Sequence, residues 1–320
     1  MEVKSLKIVN FVKIFSKYGI YLTLVLLIVI MTLLSDTFLT SVNIFNVLRQ
    51  ISITAIIALG MTFVIITSGI DLSVGSTLAF SGVLATSLAH PGDYPLFVPI
   101  LVGICVGGAI GLINGILIAK TGLAPFIVTL GMTSIARGSA MLYTGGRPVI
   151  DLSAEYAYIG KGMIWKIPVP VFIFLGLIVI LYVVLHKTRF GRHVYALGGN
   201  ELSAVVSGIN IERIKMAVYV IVGLLAGVSS IILSARTNSG APNAALGYEL
   251  DAIAACVIGG TSLQGGRGSI AGTVVGALII GIVNNGLDLM NVSSYLQQVV
   301  KGLIIIVAVL IDRISTRSSK

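Results

Sequence analysis

Long apolar runs alternate with short polar or basic segments along almost the whole chain. A helix needs about 20 apolar residues to cross the hydrocarbon core. The clearest runs are about 18–34, 45–68, 73–90, 95–119, 168–186, 216–235, 269–288 and 294–311. Two weaker ones follow the same rhythm: 123–143, interrupted by Pro125 and Arg137, and the short 250–262. The pattern predicts an all-α, polytopic membrane protein of about ten transmembrane helices, two of them short or broken. One stretch departs from it. "YALGGNELSAVVSGINIERIK" (195–215) lies between two apolar runs, is too polar for a bilayer, and is flanked by basic residues.

Composition agrees with a lipid setting. Of the 320 residues, 56% are hydrophobic and 10% charged, against roughly a quarter charged in soluble domains. The net charge of +9 does not imply a nucleic-acid partner, because the basic residues sit at the ends of apolar runs. Cys105 and Cys256 lie within such runs without metal-ligand spacing, so they read as small packing residues. The first run follows Lys4, Lys7, Lys13 and Lys17 but precedes "SDTFLTS" rather than a small-x-small site, which predicts an uncleaved first helix.

Threading ten spans from a cytoplasmic amino terminus puts fourteen Lys and Arg residues inside. Three lie in outward loops, Arg147, Lys161 and Lys166, and the other four, Arg49, Arg137, Arg236 and Lys301, fall within spans or at their edges. This asymmetry predicts cytoplasmic termini and a cytoplasmic 195–215 stretch. It divides the chain into a basic segment 1–17, a single membrane domain 18–312 with a cytoplasmic loop 187–215, and a tail 313–320. The outward loop 144–167 carries Tyr156, Tyr158 and Trp165, which suit a membrane interface.

Glycines recur every fourth residue at Gly103, Gly107, Gly111 and Gly115, and again at Gly223 and Gly227 and at Gly268, Gly272 and Gly276. That spacing predicts helix faces that pack backbone to backbone. The halves also echo each other. "GIDLS" (69–73) resembles "GYELD" (247–251), "GLIN" (111–114) resembles "GIVN" (281–284), and Arg137-Gly138 parallels Lys301-Gly302. With each pair in oppositely running helices, the expectation is an inverted repeat of spans 2–5 and 7–10, an arrangement common in transporters.

Charges within spans need a partner or a wet cavity. Lys301 and Asp288, both near outward helix ends, are expected to pair as an intramembrane bridge. Asn114, Asn284 and Asn285 are candidates for the translocation path, since neutral amides suit an uncharged polyol held weakly. Each could equally serve as an interhelical hydrogen-bond partner. No phosphate loop, zinc signature or nucleophile elbow is present; "GGTSLQGGRGS" (259–269) lacks the lysine an ATP site requires. Neither catalysis nor a cofactor is expected.

The 195–215 stretch itself predicts a short helix. Asn200 is an N-cap, Glu201 is favoured in the first turn, and Gly208 ends the helix. Leu202, Val205, Val206 and Ile209 share one apolar face. A two-turn helix is marginal alone, so this face must dock. It can rest on the protein's own helix ends or on lipid, or enter a groove of a cytoplasmic partner.

Three blocks carry a resemblance: "GMTFVIITSGIDLSVGS" (60–76), "TRFGRHVYALGGNELSAVVSGIN" (188–210) and "GYELDAIAACVIGGTSLQGGRGSIAGTVVGALIIGIVNNGL" (247–287). On them the chain resembles the permease subunit of bacterial carbohydrate ABC importers of the ribose type, from about residue 40 to 312. The resemblance implies a non-catalytic subunit of the bacterial cytoplasmic membrane that pairs with a second, identical permease. A cytoplasmic ABC ATPase would supply ATP hydrolysis, and an extracytoplasmic sugar-binding protein would deliver the solute. It makes Asn200–Asn210 the coupling helix seated in the ATPase, and ribose the first expected substrate. Other sugars, autoinducer-2 and branched-chain amino acids stay open, as does a stand-alone secondary sugar transporter.

Overall fold

A computed structural model describes residues 19–317, with side chains to residue 310. The basic segment 1–17 and the end of the tail lie outside them. Each apolar run coincides with a helix. In chain order these are α1 (Gly19–Leu34), α2 (Ser41–Ile66), α3 (Val74–Thr86), α4 (Phe97–Thr121) and α5 (Pro125–Thr144). Next come a short helix α6 (Ala154–Lys161), a two-stranded hairpin β1 (Met163–Ile164) and β2 (Ile167–Pro168), and α7 (Val169–Lys187). The chain continues through α8 (Arg189–Gly199), α9 (Glu201–Val206), α10 (Ile211–Thr237), α11 (Tyr248–Ile258), α12 (Ile270–Leu289) and α13 (Ser294–Arg317). Among the described residues α2, α4, α7, α10 and α12 are long and apolar enough to cross a membrane on their own.

The short elements differ from expectation. The 123–143 run is not broken. Pro125 occupies the first helical turn of α5, where its missing N–H costs nothing and its fixed φ suits the helix. Arg137 does not interrupt the helix either, because its guanidinium leaves α5 to reach two carbonyls. The second short helix beside α11 is α3, of 13 residues. Residues 67–73 do not continue a helix, and Asp71 accepts from the backbone and hydroxyl of Ser73 at 2.8 and 2.6 Å. That local bonding offers the backbone an alternative to the helix.

Helix α2 forms the centre. Every residue from Ile51 to Ile66 is buried, as expected of a helix enclosed on all sides. It packs on α7, α10, α11 and α12. The closest helix pair is α4 with α10. A Cβ on Gly107 would overlap the Gly223 carbonyl, and one on Gly223 would overlap the Gly107 carbonyl. The four-residue glycine spacing therefore brings two backbones together. Contacts recur between the halves: α3 packs on α4 and α5 as α11 packs on α12 and α13. Likewise α10 meets α3 and α4 as α2 meets α11 and α12.

Of the aromatics in the 144–167 segment, Trp165 is 95% exposed, whereas Tyr156 is fully buried with its hydroxyl 2.8 Å from Ser234 Oγ. Tyr156 belongs to the packing of α6 on α10, not to an interface belt. Burial pushes its phenol pKa well up, so the group stays a neutral hydroxyl.

Candidate functional site

The polar loop after α7 folds into two helices rather than one. Thr188 caps α8 by accepting from the Gly191 amide at 3.2 Å. Val194 and Leu197 are buried on its inner face while Arg189 and Arg192 face solvent. Phe190 stacks on Phe63 of α2 with ring centroids 6.3 Å apart. The Tyr195 hydroxyl donates to the Gly268 carbonyl at 2.7 Å; burial raises its pKa and keeps it a donor. Gly198 sits so close to the Ile66 carbonyl that any side chain there would collide. The Gly266 amide donates to that same carbonyl at 2.9 Å. The "GGTSLQGGRGS" segment thus has a packing role: with Gly265 and Gly266 at positive φ, its backbone wedges between α8 and the end of α2.

Gly198 and Gly199 lie inside α8, so they do not precede α9 as a break. Asn200 ends α8 and caps α9, its side chain accepting from the Ser203 amide at 2.8 Å. Glu201 pairs with Lys215 at 2.8 Å, an exposed bridge worth little by itself. Gly208, at φ +77°, turns the chain, and the Ile209 amide returns to the Ala204 carbonyl at 3.1 Å. That turn sends Ile209 inward, half-buried against the core. Ala204 is the buried contact of α9, whereas Leu202, Val205 and Val206 are 78, 55 and 88% exposed. The expected four-residue face is therefore three residues wide and uncovered by the described residues.

Within the bundle, Lys301 does not pair with Asp288. Its ammonium lies 2.9 Å from Asp251 Oδ2, in the first turn of α11. Asp288 instead accepts from Gln297 Nε2 at 2.8 Å. The reason is depth. Gln297 precedes Lys301 by about one turn of α13 and faces the end of α12, which leaves Lys301 one turn further in.

The three asparagines occupy different settings. Asn285 and Asn43 exchange amide hydrogen bonds at 2.8 and 3.0 Å, joining α12 to the start of α2. Asn114 donates to Ser73 Oγ at 3.0 Å, and Asn284 lies 3.5 Å from Asp251. The amide oxygens of Asn114 and Asn284 are buried and have no hydrogen-bond partner among the described residues. The structure does not bring these three into one site. Two further groups stand out: Asp71, present in the sequence only as part of a repeated motif, and Arg137, a charge within an apolar run. Asp71 is buried beside Ser73. Arg137 donates to the Pro242 and Ala244 carbonyls at 2.8 and 2.7 Å. The match of "GIDLS" with "GYELD" was the signal available for the first.

No group of three potential metal-ligating residues occurs among the described residues, and Cys105 and Cys256 are free thiols. A family profile described as "Branched-chain amino acid transport system / permease component" matches residues 43–309. The chain is 48% identical over 309 residues to the ribose import permease protein RbsC of Bacillus subtilis, covering 96% of each chain. It is 48% identical over 295 residues to the ribose import permease protein RbsC of Escherichia coli K12, 91% of this chain and 92% of that one. The D-allose transport system permease protein AlsC of the same strain is 40% identical over 317 residues, 99% and 97% covered. No solved structure matches the chain. The helical bundle, its apolar spans and these matches together place the chain in the family of transport-system permease components.

Proposed function

We propose that this chain is the membrane subunit of an ATP-driven importer of ribose or a closely similar monosaccharide in the bacterial cytoplasmic membrane. Near full-length similarity to permeases named for ribose supports the substrate. The observation that carries the ATP-driven mechanism is α9: three apolar side chains stand exposed on a short capped helix that the described residues leave uncovered. A cytoplasmic ABC ATPase is the partner we assign to them, with a second copy of the permease alongside and an extracytoplasmic sugar-binding protein outside. The fourteen-to-three charge asymmetry supports cytoplasmic termini, ten spans and a cytoplasmic α9. The recurring helix contacts support the inverted repeat.

Movement of the ATPase would reach the bundle through Asn200 and α8. The Gly198–Ile66 and Gly266–Ile66 backbone contacts leave α8 no slack against α2. A shift of α9 is therefore passed to the end of α2 and to the loop that enters α12. ATP can bias the outward and inward states only if the ATPase grips one of them better. The orphan amide oxygens of Asn114 and Asn284 remain our path candidates, while Asn285 is satisfied by Asn43. In proteoliposomes holding permease and ATPase, sugar uptake should require ATP. Val205→Asp or Val206→Asp should abolish uptake and ATPase association while insertion stays normal. Normal uptake by both variants would remove α9 from the mechanism.

A further inference from the structure

A cavity of about 280 Å3 lies between α3, the outer half of α10 and the 238–247 segment that leads into α11. Ala79 and Gly82 form its α3 wall, and Ser230 and Ser234 its α10 wall. Thr237, its one exposed lining residue, and the half-buried Ser239 beside it mark a mouth in the loop assigned to the outer face. The third wall is held in place from two sides. Arg137 grips the Pro242 and Ala244 carbonyls, and Gly240 bridges to Val149.

We infer that this cavity is an outward-opening subsite for one neutral monosaccharide, a reading that rests on the proposed sugar import. Its volume is near the lower end for ligand pockets, about 300 Å3, which admits a single small ring. Three of the lining hydroxyls are already committed as donors: Ser230 to the Gly227 carbonyl, Ser234 to Ser230 and Thr237 to Leu233. Each of these three therefore has lone pairs left but no hydrogen. They can only accept, and sugar hydroxyls can donate to them. Ser239 and Tyr248 add two more hydroxyls, and the rest of the wall is apolar and fits the C–H face of a sugar. No lining residue is charged, so a zwitterionic amino acid would bury two charges without partners, which is strongly disfavoured.

Filling the cavity tests this. A Cβ at Gly82 would meet Ser230 at 3.6 Å, an ordinary contact, so a side chain fits there and a long one would extend into the cavity. Gly82→Leu should lower ATP-dependent uptake at least tenfold with ATPase assembly unchanged. In a Cys105→Ala background, D-ribose should slow alkylation of Ser239→Cys by an impermeant maleimide at least twofold, and L-leucine should not. This second arm decides if Gly82→Leu fails to insert. Full uptake by inserted Gly82→Leu, or alkylation indifferent to ribose or slowed by leucine, overturns the subsite. The sugar-import reading fails separately, if the native chain with its ATPase imports no monosaccharide.

Discussion

Asp251 is buried to 3% exposure and meets one cation, Lys301, whose side chain is 27% exposed. Breaking a buried pair costs about 3–5 kcal/mol because the remaining charge is uncompensated; partial exposure of Lys301 reduces that figure here. Replacing both members with neutral groups of similar size removes the burial cost as well. Lys301→Met alone should therefore lower the melting temperature in detergent, and Lys301→Met with Asp251→Asn should recover most of it. A double variant no better than the single would deny the pairing. That Lys301 needs a partner was legible in the sequence, because a charge in an apolar run must have one. Which acid it meets was not. Asp251 and Asp288 are both acids near helix ends, and only the depth of α13 against α11 and α12 separates them.

Among elements, the α4–α10 contact and the exposed face of α5 make a controlled comparison. Gly223 faces the Gly107 carbonyl with no room for a methyl group. Gly138 on α5 has nothing within 4 Å. Gly223→Ala should destabilise the protein by about 1–3 kcal/mol through overpacking, read as lower thermal stability in detergent, and Gly138→Ala should leave it unchanged. The four-residue spacing announced a close helix pair but did not say which helices. The α9 helix was readable because capping and periodicity are local. Its neighbour α8 was not separated from it, since Gly198 and Gly199 are poor helix formers. Gly198 is kept in the helix because only glycine lets α8 touch Ile66.

For the molecule as a whole, the charge asymmetry makes an orientation that can be measured on intact cells. With Cys105 replaced by Ala, Trp165→Cys should react with an impermeant thiol reagent added from outside. Val206→Cys should react only after permeabilisation. The reverse pattern would invert the topology and remove α9 from any cytoplasmic partner. The sequence by itself determined the membrane setting, the positions of the helices and the short capped α9. These follow from hydropathy, charge placement and near-neighbour spacing, all of which are local along the chain. Only the tertiary structure decided that Lys301 meets Asp251, that Ile209 turns inward and that Asn285 is spent on Asn43. It also decided that a cavity opens between α3 and α10. Those outcomes depend on the rotation and depth of helices far apart in sequence, where one turn of α13 is enough to exchange one partner for another.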